Sequence, residues 1–217
     1  KKFNNLNNRS LDDLFIFFNS DKGSKVNWAG NIIKGHNFSR LYENYFFNFK
    51  SKNDIKILEI GSLIGSSAAS FIKYFYDAKI YCLDVNPFQI KYKSKRLNKL
   101  YINTRHKNIL KKVSDYFDFQ FDIIIDDGSH NKKDQIITLN YFLPKLKQGG
   151  LYIIEDTCEY LRKPELNEDK LDYGANEFVK SVFETGYHFS NFLDSDEKLQ
   201  IKKLINKVSL EKGNFIY

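Results

Sequence analysis

The sequence predicts an α/β fold: a doubly wound, mostly parallel sheet preceded by a helical leader. Three observations carry that expectation. Short apolar runs at Ile55–Ile60, Lys79–Leu83, Phe121–Ile125 and Leu151–Ile154 alternate with stretches whose apolar residues recur at helical spacing. The strongest runs are apolar almost throughout, as in parallel strands covered on both faces. Each run closes on a glycine or an acid: Gly61, Asp84, Asp126-Asp127 and Glu155-Asp156.

Taken in order, residues 1–50 read as a polar-aromatic helical leader or lid, and residues 51–217 as the core of one domain. Ser10, with Asp13 three residues on, resembles an N-cap opening a helix through Leu11, Leu14, Phe15 and Phe18. Ser20-Asp21-Lys22-Gly23 is a turn, and a second helix carries Leu41, Tyr42, Tyr45 and Phe46. After the first core strand, Ser66–Phe75 reads as a helix through Ala68, Phe71, Ile72 and Phe75. A basic helical segment is expected through Leu97 and Leu100, then a weak strand at Tyr101–Thr104. Asp134–Leu146 is amphipathic at helical spacing, with Gly149-Gly150 as its stop. Lys207–Leu210 and Asn214–Tyr217 flank Lys212-Gly213, which reads as a closing antiparallel hairpin. The whole is Rossmann-like.

With 217 residues, 42% of them hydrophobic, the chain can bury a core without staples. No apolar run approaches the roughly 20 residues needed to span a bilayer, and no signal-peptide pattern marks secretion. Cys82 and Cys158 lie in or beside apolar runs and read as buried free thiols, which points to a cytoplasmic setting. Without a Cys-x-x-Cys pair, zinc is not expected. The net charge of +7 is spread over scattered lysines rather than a basic stripe. Solvated lysines are therefore favoured over a nucleic-acid partner, and an acidic substrate such as a nucleotide-linked one also suits the sign.

Three strand ends carry the chemistry. After Leu58-Glu59-Ile60 comes Gly61-Ser62-Leu63-Ile64-Gly65, a glycine turn that lets a ligand approach N–H groups at a helix N-terminus. Its Gly-x-x-x-Gly spacing is not that of a dinucleotide loop, and a tight structural turn explains it about equally well. Asp84, in Leu83-Asp84-Val85-Asn86, could accept both hydroxyls of a ribose or serve as a turn cap. Gly61 and Asp84 at consecutive strand ends together suggest a nucleoside. The third group is Asp126, Asp127 and His130 after one strand and Glu155 and Asp156 after the next. Unpaired, four such carboxylates repel, and a hard divalent cation such as Mg²⁺ relieves this; capping of the next helix by Asp127 is the competing explanation. His130, in a Gly-Ser turn beside an acid, is a candidate general base, whereas His36, His106 and His188 read as structural.

Leu58–Gly61, Asp84, Phe121–His130 (FDIIIDDGSH) and Gly149–Thr157 (GGLYIIEDT) resemble class I methyltransferases of the macrolide sugar O-methyltransferase type, the mycinamicin and macrocin enzymes. The resemblance covers about residues 15–160. It implies S-adenosylmethionine as cofactor, held by Glu59, Gly61, Ser62 and Gly65, by Asp84, Val85 and Asn86, and by Asp126. It implies Asp127, Glu155 and Asp156 as Mg²⁺ ligands and His130 as the base. Ser20–Gly23 with His36 and Tyr42 looks like the family's lid. Arg105–Leu110 departs from the family's acidic-amide motif, so adenine contacts are left unassigned. The implied reaction is Mg²⁺-dependent methylation of a sugar hydroxyl, with a nucleotide-linked sugar for surface polysaccharide as the expected acceptor and a homo-oligomer as a further expectation. A catechol-type enzyme, an RNA methyltransferase and a non-catalytic binding module on the same fold compete with that reading.

Overall fold

The computed structural model describes residues 9–157 and 170–211. Their order is α1 (Leu11–Phe18), β1 (Lys25–Trp28), β2 (Asn31–Lys34), α2 (Ser39–Phe46), β3 (Ile55–Ile60), α3 (Ser66–Tyr74), β4 (Ala78–Asp84) and β5 (Leu97–Tyr101). There follow α4 (Lys107–Tyr116), β6 (Phe121–Asp126), α5 (Lys132–Phe142), β7 (Leu146–Ile154), α6 (Ala175–Thr185) and α7 (Ser195–Leu204). Five strands form a mostly parallel sheet in the order β5-β4-β3-β6-β7, and β1 and β2 make a separate antiparallel pair. Ile57 faces Ile80 in the parallel β3–β4 pair, and Ile125 faces Ile153 in β6–β7. All six residues of β6 are buried, as are five of the six in β3, which is why both read as mostly apolar runs. The chain divides into two compact units at Leu100 and Tyr101.

In the first unit, the Ser10 hydroxyl accepts the Asp13 N–H at 3.1 Å and opens α1, as its capping pattern predicts. The helix buries Leu11, Leu14, Phe15 and Phe18. Phe15 sits edge-on to Tyr42 of α2 and Phe71 of α3, at 6.2 and 5.8 Å, and Phe46 joins Phe71 and Phe75. Such pairs add about 0.5–1.5 kcal/mol each beyond the area they bury. Asp12 ties the leader together: its carboxylate accepts the Ser24 N–H and hydroxyl, each at 2.7 Å, and the Ser39 hydroxyl at 2.9 Å.

Burial alone would raise the Asp12 carboxyl, but the hydrogen bonds from Ser24 and Ser39 outweigh it and hold the group below its ordinary value. A carboxyl depressed on folding contributes stability above its unfolded value of about 3.9 and loses it as pH falls through the folded value. Native protein is therefore expected to exceed Asp12→Asn in denaturant midpoint at neutral pH. The gap should narrow below about pH 4, and midpoints measured across that range check it.

Arg96 holds the end of α3. Its guanidinium donates to the carbonyls of Ile72 (2.7 Å), Tyr76 (3.0 Å) and Phe75 (3.2 Å), which a helix C-terminus leaves unpaired. Arg96→Ala should lower unfolding free energy by about 2–3 kcal/mol, read from urea denaturation, since charged hydrogen bonds and buried acceptors are lost together.

In the second unit, Ser114 of α4 donates to the Tyr141 carbonyl of α5 at 2.8 Å, and Phe117, Phe119 and Phe121 form an aromatic cluster. The Asp194 side chain and Glu197 cap α7 reciprocally. His188 is structural, as expected: its ring lies 4.7 Å from Tyr173 and 4.2 Å from Phe189, and its Nδ1 accepts the Ser190 N–H at 3.1 Å.

Several expectations need correction. The basic segment through Leu97 and Leu100 is not a helix but β5, so the strand lies at Leu97–Tyr101 and stops short of Thr104. As an edge strand it carries exposed Asn98 and Lys99, which blurs its periodicity and discourages edge pairing. Gly149-Gly150 does not stop α5. Pro144 ends that helix in a short turn, Leu143–Lys145, and the glycines lie inside β7, where the pairing register shifts between Phe121 and Ile123. The leader is not wholly helical, because β1 and β2 form a hairpin whose turn puts Ala29 and Gly30 at positive φ. Alanine in that role is outside the usual hairpin code, which is why the turn is not legible from the residues alone. Of the closing hairpin, Lys207–Leu210 carries no strand, and Lys212-Gly213 and Asn214–Tyr217 lie outside the described residues, as does Cys158. Cys82 is buried and free, and burial pushes its thiol well up.

Candidate active site

Two groups of strand-end residues are candidates, one in each unit. In the first, the chain leaves β3 through Gly61 at φ +85° and enters α3 through Gly65 at φ +81°. Both are left-handed values that glycine adopts without penalty. A Cβ on Gly65 would also stand 2.7 Å from Ile90 Cγ2, so the position excludes a larger residue twice over. The Gly65 N–H donates to the Ser62 carbonyl at 2.7 Å, which closes the turn. Asp84, nearly buried at the end of β4, accepts the Leu63 N–H at 2.8 Å on one oxygen. The other oxygen accepts the Asn86 N–H at 2.8 Å and the Gln89 side chain at 3.1 Å. The carboxylate thus ties the two turns together, a structural duty alongside the ligand role expected of it. Val85 and Asn86 are exposed beside it.

Glu59 and Ser62 stand differently from the glycines. Glu59 is fully buried and accepts the Ser67 hydroxyl, while Ser62 is buried and donates to the Glu59 carbonyl at 3.2 Å. Both shape the turn from within.

In the second unit, β6 runs directly into the acids. Asp126, its last residue, is buried, with one oxygen accepting the Gly128 N–H at 3.2 Å and the other lacking a hydrogen bond among the described residues. Burial pushes its carboxyl up to about 8 against the Gly128 bond, and Asp127, Asp134 and Glu155 add to the rise. Asp127 does not cap α5. Asn131 does, accepting the Lys133 and Asp134 N–H groups at 2.9 and 3.5 Å, which removes the capping explanation for Asp127. His130 has a left-handed backbone, φ +56°. Its Nδ1 lies 4.0 Å from an Asp127 oxygen and 4.0 Å from an Asp156 oxygen.

One donor atom from each of Asp127, His130 and Asp156 falls within 4.8 Å of the other two, and all three side chains remain partly open to solvent. Glu155, expected as a third acidic ligand, is not in that group. Its residue is nearly buried and its backbone is fixed, the N–H by the Asp126 carbonyl at 2.9 Å and the carbonyl by Gln135 at 2.8 Å. Two carboxylate oxygens facing one gap fit a hard divalent cation, which takes oxygen ligands and fills its remaining positions with water or substrate.

Sequence reasoning missed the supports. Ser129 donates to Asp134 at 2.6 Å, and Lys132, almost wholly buried, donates to the Leu171 carbonyl at 2.7 Å and lies 4.1 Å over the Tyr173 ring. The Asn131-x-x-Asp134 pattern was a legible cap signal. A buried lysine pairing across about forty residues leaves no local trace.

Residues 58–157 match the family model of a methyltransferase domain. The chain is thus similar to methyltransferases over a little under half of its length. Curated relatives of it include 8-demethyl-8-alpha-L-rhamnosyl tetracenomycin-C 2'-O-methyltransferase of Streptomyces olivaceus, 26% identical over 56% of this chain and 33% of the relative. L-olivosyl-oleandolide 3-O-methyltransferase of Streptomyces antibioticus is 28% identical over 68% of this chain and 37% of the relative. The chain therefore spans about a third of the length of these curated relatives. Among solved structures, the MycE methyltransferase of the mycinamycin biosynthetic pathway, in complex with Mg, SAH and mycinamycin VI, has a TM-score of 0.66. It is 20% identical, and the match covers 87% of this chain and 49% of MycE. That likeness shows the fold, and the stretch matched by the family model runs from Leu58 in β3 to Thr157, beyond the Glu155-Asp156 turn.

Proposed function

We propose that the chain is an S-adenosylmethionine-dependent O-methyltransferase that uses Mg²⁺ to methylate a sugar hydroxyl. The observation that carries the reading is the gathering of Asp127, His130 and Asp156 at the ends of β6 and β7, in a chain with a methyltransferase-domain match. The sugar assignment rests on the names of the relatives, which include a rhamnosyl tetracenomycin-C 2'-O-methyltransferase and an L-olivosyl-oleandolide 3-O-methyltransferase.

The glycine turn after β3 receives the cofactor, with backbone N–H groups at the start of α3 open to its polar end and Asp84 beside the ribose. Asp127 and Asp156 hold the cation, with Glu155 completing or backing the set. Bound there, Mg²⁺ supplies the charge that lowers the pKa of an acceptor hydroxyl. His130 keeps Nδ1 toward the two carboxylates, which leaves Nε2 to take the acceptor's proton. S-adenosylmethionine, held at the glycine turn, would supply the methyl group, its sulfur keeping the electron pair of the carbon–sulfur bond as the acceptor oxygen takes the carbon. Two adjacent oxygens on the acceptor suit this arrangement, as on a vicinal diol. A nucleotide-linked sugar for a surface polysaccharide, handled in the cytoplasm, is the acceptor that also fits the +7 charge.

The test is methyl transfer from labelled S-adenosylmethionine to a panel of nucleotide sugars, free sugar diols, catechols and RNA, with Mg²⁺ or with EDTA. Transfer to a sugar diol that EDTA abolishes supports the reading. Transfer to catechol or RNA alone, or transfer indifferent to EDTA, overturns it.

A further inference from the structure

We infer that Gln135, on the first turn of α5, is a positioning residue that sets the direction of Asp156 through the Glu155 peptide. The inference rests on the metal-binding reading above.

Gln135 is 1% exposed, and its side-chain N–H donates to the Glu155 carbonyl at 2.8 Å. That carbonyl belongs to the peptide joining Glu155 to Asp156. Fixing it fixes the plane from which Asp156 departs, and Asp156 departs in the left-handed region at φ +50°. That backbone is unfavourable for an L-residue, a cost that aspartate bears more readily than most but that the surrounding structure still has to offset. In the preceding peptide unit, the Glu155 N–H donates to the Asp126 carbonyl at 2.9 Å. The Glu155-Asp156 turn is therefore clamped at both ends, with Gln135 the side-chain jaw.

The other end of the Gln135 amide sharpens the point. Its Oε1 is buried without a hydrogen bond among the described residues. A side chain chosen to fill space would carry no such unpaired acceptor, since methionine or leucine fills the volume without the desolvation cost. The donor is the part of the residue in use. The neighbouring Asp134 accepts the Ser129 hydroxyl at 2.6 Å and so steadies the turn that carries Asp127 and His130. Two consecutive residues of α5 thus reference both acid-bearing turns to one rigid helix, as outer-shell partners do for metal ligands.

The test uses Mn²⁺ as the probe, titrated into the full chain and followed by the electron paramagnetic resonance signal of the free ion. S-adenosylmethionine affinity is measured alongside by calorimetry. Gln135→Met, which keeps the volume and drops the donor, should bind Mn²⁺ about 10–100-fold more weakly while its S-adenosylmethionine affinity stays native. Gln135→Glu, of the same size with an acceptor in place of the donor, should do the same and serves if the methionine variant does not fold. Native Mn²⁺ affinity in a folded variant overturns the inference. So does parallel weakening of both ligands, or failure of both variants to fold, since either makes Gln135 a general scaffold residue. If the native chain itself does not bind Mn²⁺, the metal reading fails first and takes this one with it.

Discussion

Asp127→Asn is expected to lower methyl transfer by about a thousand-fold, the loss of roughly 4 kcal/mol of charge stabilisation around the reacting oxygen. The substitution keeps the size of the side chain and removes its charge. Asp127 is partly exposed, and the cap of α5 belongs to Asn131. Stability should stay near native, while the response to added Mg²⁺ disappears. Steady-state rates with Mg²⁺ varied, for native protein and variant, check this. Full activity of the variant in EDTA would remove the metal from the mechanism.

His130→Ala is expected to cost about 10²–10⁴-fold in kcat, the usual range for a positioned acid–base group. The KM for S-adenosylmethionine should not move, because the glycine turn and Asp84 belong to other strand ends. Mn²⁺ affinity separates the two roles open to the imidazole, whose Nδ1 stands 4.0 Å from two carboxylate oxygens. Retained metal binding with collapsed kcat identifies the base. Lost metal binding identifies a ligand, and unchanged turnover rejects both.

The sheet was legible because its chemistry is local. The apolar runs at 55–60 and 121–125, with buried residues on both faces, can be little other than covered parallel strands. Their closing residues, Gly61, Asp84, Asp126-Asp127 and Glu155-Asp156, could be read for the same reason, since the end of a strand follows from the strand. What the sequence hid is non-local or conformational. β5 at the sheet edge keeps polar residues that mimic a helix, and the bulge at Gly149-Gly150 resembles a helix stop until Pro144 is given priority. Neither α6 nor α7 was foreseen, although Asp194 and Glu197 spell a capping box.

The candidate site shows the same division. Asp127, His130 and Asp156 were named from their strand ends, and they do converge. The different setting of Glu155 depends on Gln135 and Asp126 reaching its backbone, which no spacing rule conveys. Likewise Glu59 accepts the hydroxyl of Ser67, the second residue of α3, so a residue expected to meet the cofactor stands fully buried.

Whether the glycine turn takes S-adenosylmethionine is tested most directly by calorimetric titration of that compound into the native chain in the presence of Mg²⁺. Saturable binding at one site per chain is the expected result. No binding, with Mg²⁺ present or absent, would contradict methyl transfer as the function of this chain.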